Sequence, residues 1–254
     1  MRIRFHFRWI PFVVMLLLVA LGVSLAQWQQ RRGDEKVARA ARLEAGNQAA
    51  PLALSAAPML PADAQAIEYR RVTVTGRFVP AWTVYLDNRP YKGQAGFHVL
   101  TPFQIDGSPM HVLVAQGWLP RNNAERTRIP DYVTPAGTVT ISGIARLNAG
   151  HVMELGTAPP LAPHAIVQNA DIGQLAQASG LALQPFILEQ TVNPVNPVDS
   201  AAVPASSQLP VRDWPAPDLG VDKHRGYAFQ WYALALMAFL FFVFTGFRRA
   251  NKQP

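Results

Sequence analysis

Cysteine is absent from this chain. Its absence excludes a disulfide framework, thiolate metal sites, iron–sulfur ligation and thioether-linked c-type haem, and leaves noncovalent haem or a histidine–methionine metal site open. Charge is scarce: 15% of the residues are Asp, Glu, Lys or Arg while 50% are hydrophobic, a low charged share for a soluble enzyme. Enzyme signatures are missing as well. There is no G-x-S-x-G elbow, no phosphate-binding P-loop, no H-E-x-x-H and no G-x-G-x-x-G. No internal repeat is present.

Two long runs lack ionisable side chains. The first extends from Ile10 to Ala26, bracketed by Trp9 and Trp28, and the second from Tyr227 to Phe247, broken only by Gln230 and Thr245. At 1.5 Å per helical residue each bracketed run matches a bilayer core of about 30 Å. Neither shows the polar face that a buried soluble helix would carry. Both tails lack acids and hold Arg2, Arg4, Arg8, Arg248, Arg249 and Lys252; without those six the chain has 17 basic against 16 acidic side chains. The net charge of +7 therefore makes no patch for nucleic acid. Basic tails beyond two spans follow the positive-inside pattern of cytoplasmic ends.

The expected organisation is a cytoplasmic tail over 1–8, a transmembrane helix over 9–28, an external domain over 29–226, a second transmembrane helix over 227–247 and a cytoplasmic tail over 248–254. A signal peptide is the rival for the first run, with Ser24-Leu25-Ala26 as its cleavage site. The length of the run and Arg31-Arg32 just beyond it favour a retained span. The short leader before the span points to a bacterial inner membrane, with the domain in the periplasm.

Residues 33–48 read as helix continuing out of the first span, and 49–66 as Ala/Pro-rich loop. The pattern then changes to strands: Val72–Phe78, Trp82–Leu86, Phe97–Leu100, His111–Val114 and Thr138–Ser142. Turn signals separate them, with Asp106-Gly107 as a hairpin. A short helix runs from Asp171 as N-cap to Gly180, followed by a strand over Pro185–Glu189. Six prolines mark 193–218 as an extended connector. The fold class is thus an α+β membrane protein: two transmembrane helices flanking a periplasmic antiparallel β-rich domain, sheet or small barrel, with short helices.

Candidate chemistry is sparse. Asp87, Asp106, His98 and His111 lie on or beside strands without the local context of a catalytic set. Met110-His111 and His151-Val152-Met153 are copper-type donors without a spaced third ligand, and read as ordinary β residues. His224 stands apart by position. A helix starting near Asp222 puts His224, Ala228 and Trp231 on one face at the outer mouth of the second span. Lys223 and Arg225 flank it, and the other mouth carries Trp28-Gln29-Gln30-Arg31-Arg32. An imidazole, indoles and cations together suit a macrocycle with carboxylate tails, with Trp28 and Trp231 meeting across the two mouths. The plainer account of the same residues is an aromatic belt with snorkelling cations.

Several separated motifs resemble the surfeit locus protein one family of cytochrome c oxidase assembly factors. They are Leu25-Ala26-Gln27-Trp28-Gln29 followed by Arg32 and Lys36; Tyr69-Arg70-Arg71-Val72 through Gly76; Gly96-Phe97-His98-Val99-Leu100-Thr101-Pro102; Val112-Leu113-Val114 with Gly117-Trp118-Leu119-Pro120; and His224 with Tyr227, Ala228, Gln230, Trp231 and Tyr232. The chain departs from the family pattern at Ala115-Gln116, where Asn-Arg is usual, at Lys223, where Asn is common, and at Ala26, where Gly is common. The resemblance implies a non-enzymatic chaperone that binds haem a noncovalently and transiently and assists its insertion into the large oxidase subunit. The machinery that makes haem a and the membrane lipid are further partners it implies. It makes His224 the axial ligand of the haem iron, supported by Trp28, Gln29, Arg32, Gln230, Trp231 and Tyr232. A membrane-tethered periplasmic sensor and an accessory oxidase subunit without haem transfer are the alternatives; the sensor would lack any output module after the second span.

Overall fold

In the computed structural model, residues 3–5, 7–154, 156, 158–191, 209–214 and 221–249 are described. The chain divides into two compact units, 1–41 with 217–254, and 42–216.

The first unit is an antiparallel helix pair. Helix α1 spans Trp9–Gln48 without a break, and its last turns belong to the second unit. Helix α4, numbered in chain order, spans Val221–Gly246. Both contain stretches long and apolar enough to cross a membrane, Trp9–Gly46 and Lys223–Gly246. Only 17% and 11% of their most apolar windows are buried within the protein. A soluble core helix would hide that surface, so the two candidate spans suggest membrane association. Strands β1 (Ile3–Phe5) and β10 (Phe247–Arg249) pair antiparallel beyond the apolar stretches.

The helices meet along a seam with alternating three- and four-residue spacing. Met15, Gly22, Ala26 and Gly33 are buried on α1, and Ala228 and Ala235 on α4. A Cβ on Gly22 would lie 3.0 Å from Ala235 Cβ and 3.1 Å from the Trp231 carbonyl oxygen. Small side chains here bring the backbones close, which is how helices associate where lipid removes the hydrophobic drive.

The second unit is a five-stranded barrel. Its staves are β3 (Arg71–Phe78), β5 (Gly96–Ile105), β6 (Met110–Pro120), β7 (Val139–Arg146) and β9 (Ala182–Gln190), with β2 (Leu52–Ala53), β4 (Val84–Leu86) and β8 (Ile166–Val167) added at the edges. The order β3-β7-β9-β6-β5 closes because Gly76, Arg77 and Phe78 pair with Ile105, Gln104 and Phe103. The expected antiparallel pairing holds around the barrel except at β6–β9, which is parallel. Short helices α2 (Pro61–Ala66) and α3 (Ile172–Ser179) complete the unit.

Alternation explains β3, whose buried positions Val72, Val74, Gly76 and Phe78 face one way. Val72, Val74 and Phe78 join Phe103, Val112, Ile141, Phe186 and Leu188 in one core contributed by all five staves. Strands β5 and β6 are buried almost throughout. Their other face carries Leu100 and Leu113, covered by Leu175 of α3 and by Val84 and Leu86. The Asp106-Gly107 hairpin forms as expected, with Gly107 at φ +69°. Helix α3 starts and stops where its caps dictate. Asp171 accepts a hydrogen bond from the Gln174 amide at 3.0 Å, and Gly180 is left-handed.

Most of the connector expected at 193–218 lies outside the described residues. Its segment 209–214 is seated on the barrel. Val211 exchanges backbone hydrogen bonds with Trp118 at 2.8 Å, and the Trp214 indole donates to the Gln190 carbonyl at 2.8 Å. The Trp214 ring also stands edge-on to His98, 5.0 Å between centroids. Burial, and then the neighbouring Arg89 charge, pull the His98 pKa down to about 4. The unfolded chain then takes up the proton first, so this contribution to stability is complete above pH 6.5 and is lost as pH falls from 6.5 to 4. Denaturant titrations across that range should show a loss of about 3 kcal/mol, flattened in His98→Gln. An unchanged slope in the variant would assign the pH dependence to other groups.

Candidate functional site

The candidate catalytic and copper residues do not gather. Asp87 pairs with Arg121, His98 sits under Trp214, and Asp106 occupies the β5–β6 turn. His98 and His111 stand toward opposite ends of the β5–β6 ladder, opposite Trp118 and Gln104. Met153 is 82% exposed. Among the described residues no three His, Asp or Glu side chains are close enough to hold a bare metal ion. Ala115 and Gln116, the departure from the family pattern, are buried in β6. The Gln116 amide donates to Thr101 Oγ1 at 2.7 Å, and Thr101 in turn shares a hydrogen bond with Thr83 at 2.9 Å. That network satisfies a polar side chain inside the domain.

His224 is brought to α1. It lies in the first turn of α4, one step before Ala228 on the seam. Its Nδ1 is 2.7 Å from Gln29 Oε1, and a Cβ on Gly33 would lie 3.7 Å from its own Cβ. One residue along, Tyr232 donates its hydroxyl to Gln30 Oε1 at 3.1 Å. Two hydrogen bonds thus cross from residues about two turns apart on α4 to adjacent glutamines of α1. Trp231 occupies the seam and is half-buried. Gln30 escapes a reading of the sequence because it becomes a partner only once the helices are paired. The matched spacing of Gly22, Ala26, Gln29 and Gly33 with His224, Ala228, Trp231 and Ala235 is the signal that could have shown the seam.

The other expected residues surround this pair without touching it in the expected way. Trp28 is 46% exposed and one position off the seam. No ring contact joins it to Trp231 among the described residues, so the expected indole pair does not form. The cause is rotation: adjacent helical residues point about 100° apart, and Gln29 holds the inward position. Arg32 bonds Glu35 of its own helix at 3.0 Å. Gln230, Arg31, Lys223 and Arg225 are exposed. Between the same helices a cleft of about 560 Å³ is lined by Gln30, Gly33, Asp34, Arg225, Ala228, Phe229 and Tyr232; it shares neighbours with His224 and Gln29, which do not themselves line it. Its size falls within the range of small-molecule sites.

The donor set fits haem. A single imidazole cannot hold a bare ion, but it can complete the coordination of iron that arrives with its four equatorial nitrogens already supplied. Phe229 and Tyr232 give the cleft its aromatic lining, and Arg225 stands in it with Asp34; Trp28 and Tyr227 are exposed outside it.

A model described as the SURF1 family matches residues 16–236, a range that includes both hydrogen-bonded helix faces and the whole barrel. A SURF1-like protein of Monosiga brevicollis is 26% identical over 94% of this chain and 88% of its own length. Surfeit locus protein 1 of Mus musculus is 31% identical, over 52% of this chain and 47% of its own. An uncharacterized SURF1-like protein of Mycobacterium bovis is 29% identical, over 68% of this chain and 64% of its own.

Proposed function

Because the chain belongs to the SURF1 family, we propose that it assists cytochrome oxidase assembly as a membrane-bound carrier that binds haem a noncovalently and passes it to the large oxidase subunit. The observation that carries this reading is the placement of His224: a lone imidazole tethered by Gln29 across the helix pair, one residue before Arg225 of a cleft that also holds Asp34, Phe229 and Tyr232. Bound haem would supply the iron that the Nε2 lone pair ligates.

The residues of the chain have separable parts in this role. Gln29 orients the imidazole. Tyr232 and Gln30 hold the helices in register about two turns further along α4. Trp28, half-exposed, covers apolar surface of the cargo, while Arg225 pairs with a carboxylate. Arg32 and Gln230 are exposed and close enough in sequence to act at the rim. The basic tails support this orientation by the positive-inside rule: both ends in the cytoplasm and the barrel in the periplasm of a bacterial inner membrane. The role is binding and transfer, with no bond of the cargo made or broken other than ligation.

A strain lacking this protein should accumulate oxidase deficient in haem a, and reporters fused at Gln253 and within 195–208 should report opposite compartments. Oxidase with its full haem complement in the deletion strain would overturn the carrier role. One copy of this chain retained per purified oxidase would make it an accessory subunit instead.

A further inference from the structure

We infer that Gln29 is a positioning residue that selects which nitrogen of His224 is free to bind iron. The inference rests on the reading of His224 as the axial ligand and deepens it. Gln29 Oε1 has lone pairs and no proton, so across the 2.7 Å contact the imidazole Nδ1–H donates. The neutral ring is then fixed with its proton on Nδ1 and its lone pair on Nε2. A neutral histidine in an unstructured peptide favours the opposite tautomer, so this hydrogen bond reverses an intrinsic preference. It also stops rotation about the bond to the ring, which aims the lone pair.

The local sequence makes the contact possible. Gln29 continues the α1 seam after Gly22 and Ala26, and Gly33 follows one turn later. Close approach at Gly22 and Ala235 draws the helices together, and the Gln29 amide can therefore reach an imidazole on the facing helix. An amide is a neutral acceptor. It polarises the imidazole less than the carboxylate found behind many metal-bound histidines, which would make the ring a stronger donor. The bond to iron is thereby kept weak enough to break on transfer, a property that a carrier needs and a permanent haem protein does not.

The test uses the full-length protein in detergent. With ¹⁵N-labelled histidine and no haem, His224 should show a protonated Nδ1 and a bare Nε2. Gln29→Met keeps the side-chain length without a strong acceptor. It should shift the ring toward the Nε2–H tautomer and weaken haem a binding about 10–100-fold. Gln29→Glu should keep the wild-type tautomer, lower the midpoint potential of the bound haem and slow its release to an apo-acceptor. A bare Nδ1 in the wild-type protein would overturn the inference, as would wild-type tautomer and affinity in Gln29→Met. If Gln29→Met fails to fold, the wild-type tautomer and the Gln29→Glu midpoint still decide it. Full haem binding by His224→Ala would instead overturn the reading of His224 as ligand, whatever Gln29 does.

Discussion

Replacing His224 with alanine is expected to abolish the histidine-ligated haem a spectrum of the purified protein and to weaken binding by at least about 100-fold. A methyl group has no lone pair to offer iron, and the cleft supplies no second imidazole: among the described residues His224 is the one histidine of the helix pair. The protein should remain folded and inserted. The seam is held at Gly22, Ala26, Ala228 and Ala235, which the substitution leaves alone, and His224 itself is only half-buried. Free imidazole added to the variant should restore part of the spectrum, since it returns the missing donor without the chain. His111→Gln is the control, because β6 holds that residue in the other unit. An unaltered spectrum in His224→Ala would remove the ligand assignment and leave the aromatic belt as the account of these residues.

Gly76→Val should unfold the barrel while leaving the helix pair in the membrane. Gly76 pairs with Val139 of β7 and with Ile105 of β5, at the point where the first and last staves join. A Cβ there would strike the Gln104 carbonyl oxygen and stand 2.8 Å from Phe103 Cε1. The oxygen is backbone in a paired strand and cannot swing aside. The Phe103 ring is fully buried and packed edge-on to Phe78 at 4.9 Å. Overpacking at such a site costs about 3 kcal/mol or more, a large part of a domain stability of about 5–15 kcal/mol. Limited proteolysis should then cut within 42–216 under conditions where the native protein resists. Gly107→Ala is the comparison: Gly107 has φ +69° with open space around it, so only the backbone penalty of about 1–2 kcal/mol applies. Equal losses in the two variants would mean that closure of the barrel does not depend on the absent side chain at Gly76.

Much of this architecture is local information. Two stretches without ionisable groups, each as long as a bilayer is thick, determine the spans, because no folded soluble core of this size could cover them. The Asp106-Gly107 turn and the Asp171 and Gly180 caps are likewise written in adjacent residues, since turn and cap chemistry act over three or four positions. Motif order carried the family, and the position of His224 at a span mouth marked it as the candidate ligand. The edges of β5 and β6 were harder to read. Both faces of these strands are covered, so the alternation that reveals β3 is lost, and only their most apolar stretches stand out.

The tertiary structure decided what depends on partners distant in the chain. Closure of β3 on β5 and the parallel pairing of β6 with β9 are set by backbone hydrogen bonds between segments that no local pattern links. The same holds between the helices. Trp28 and Gln29 are adjacent in sequence and equally plausible beside a haem, yet the rotation of α1 turns Gln29 toward His224 and leaves Trp28 half-exposed. Sequence determined that an imidazole, an amide and an indole stand near the mouths of the spans. Which of them touch was fixed by the close approach at Gly22 and Ala235, because that contact sets the phase in which the two helices meet.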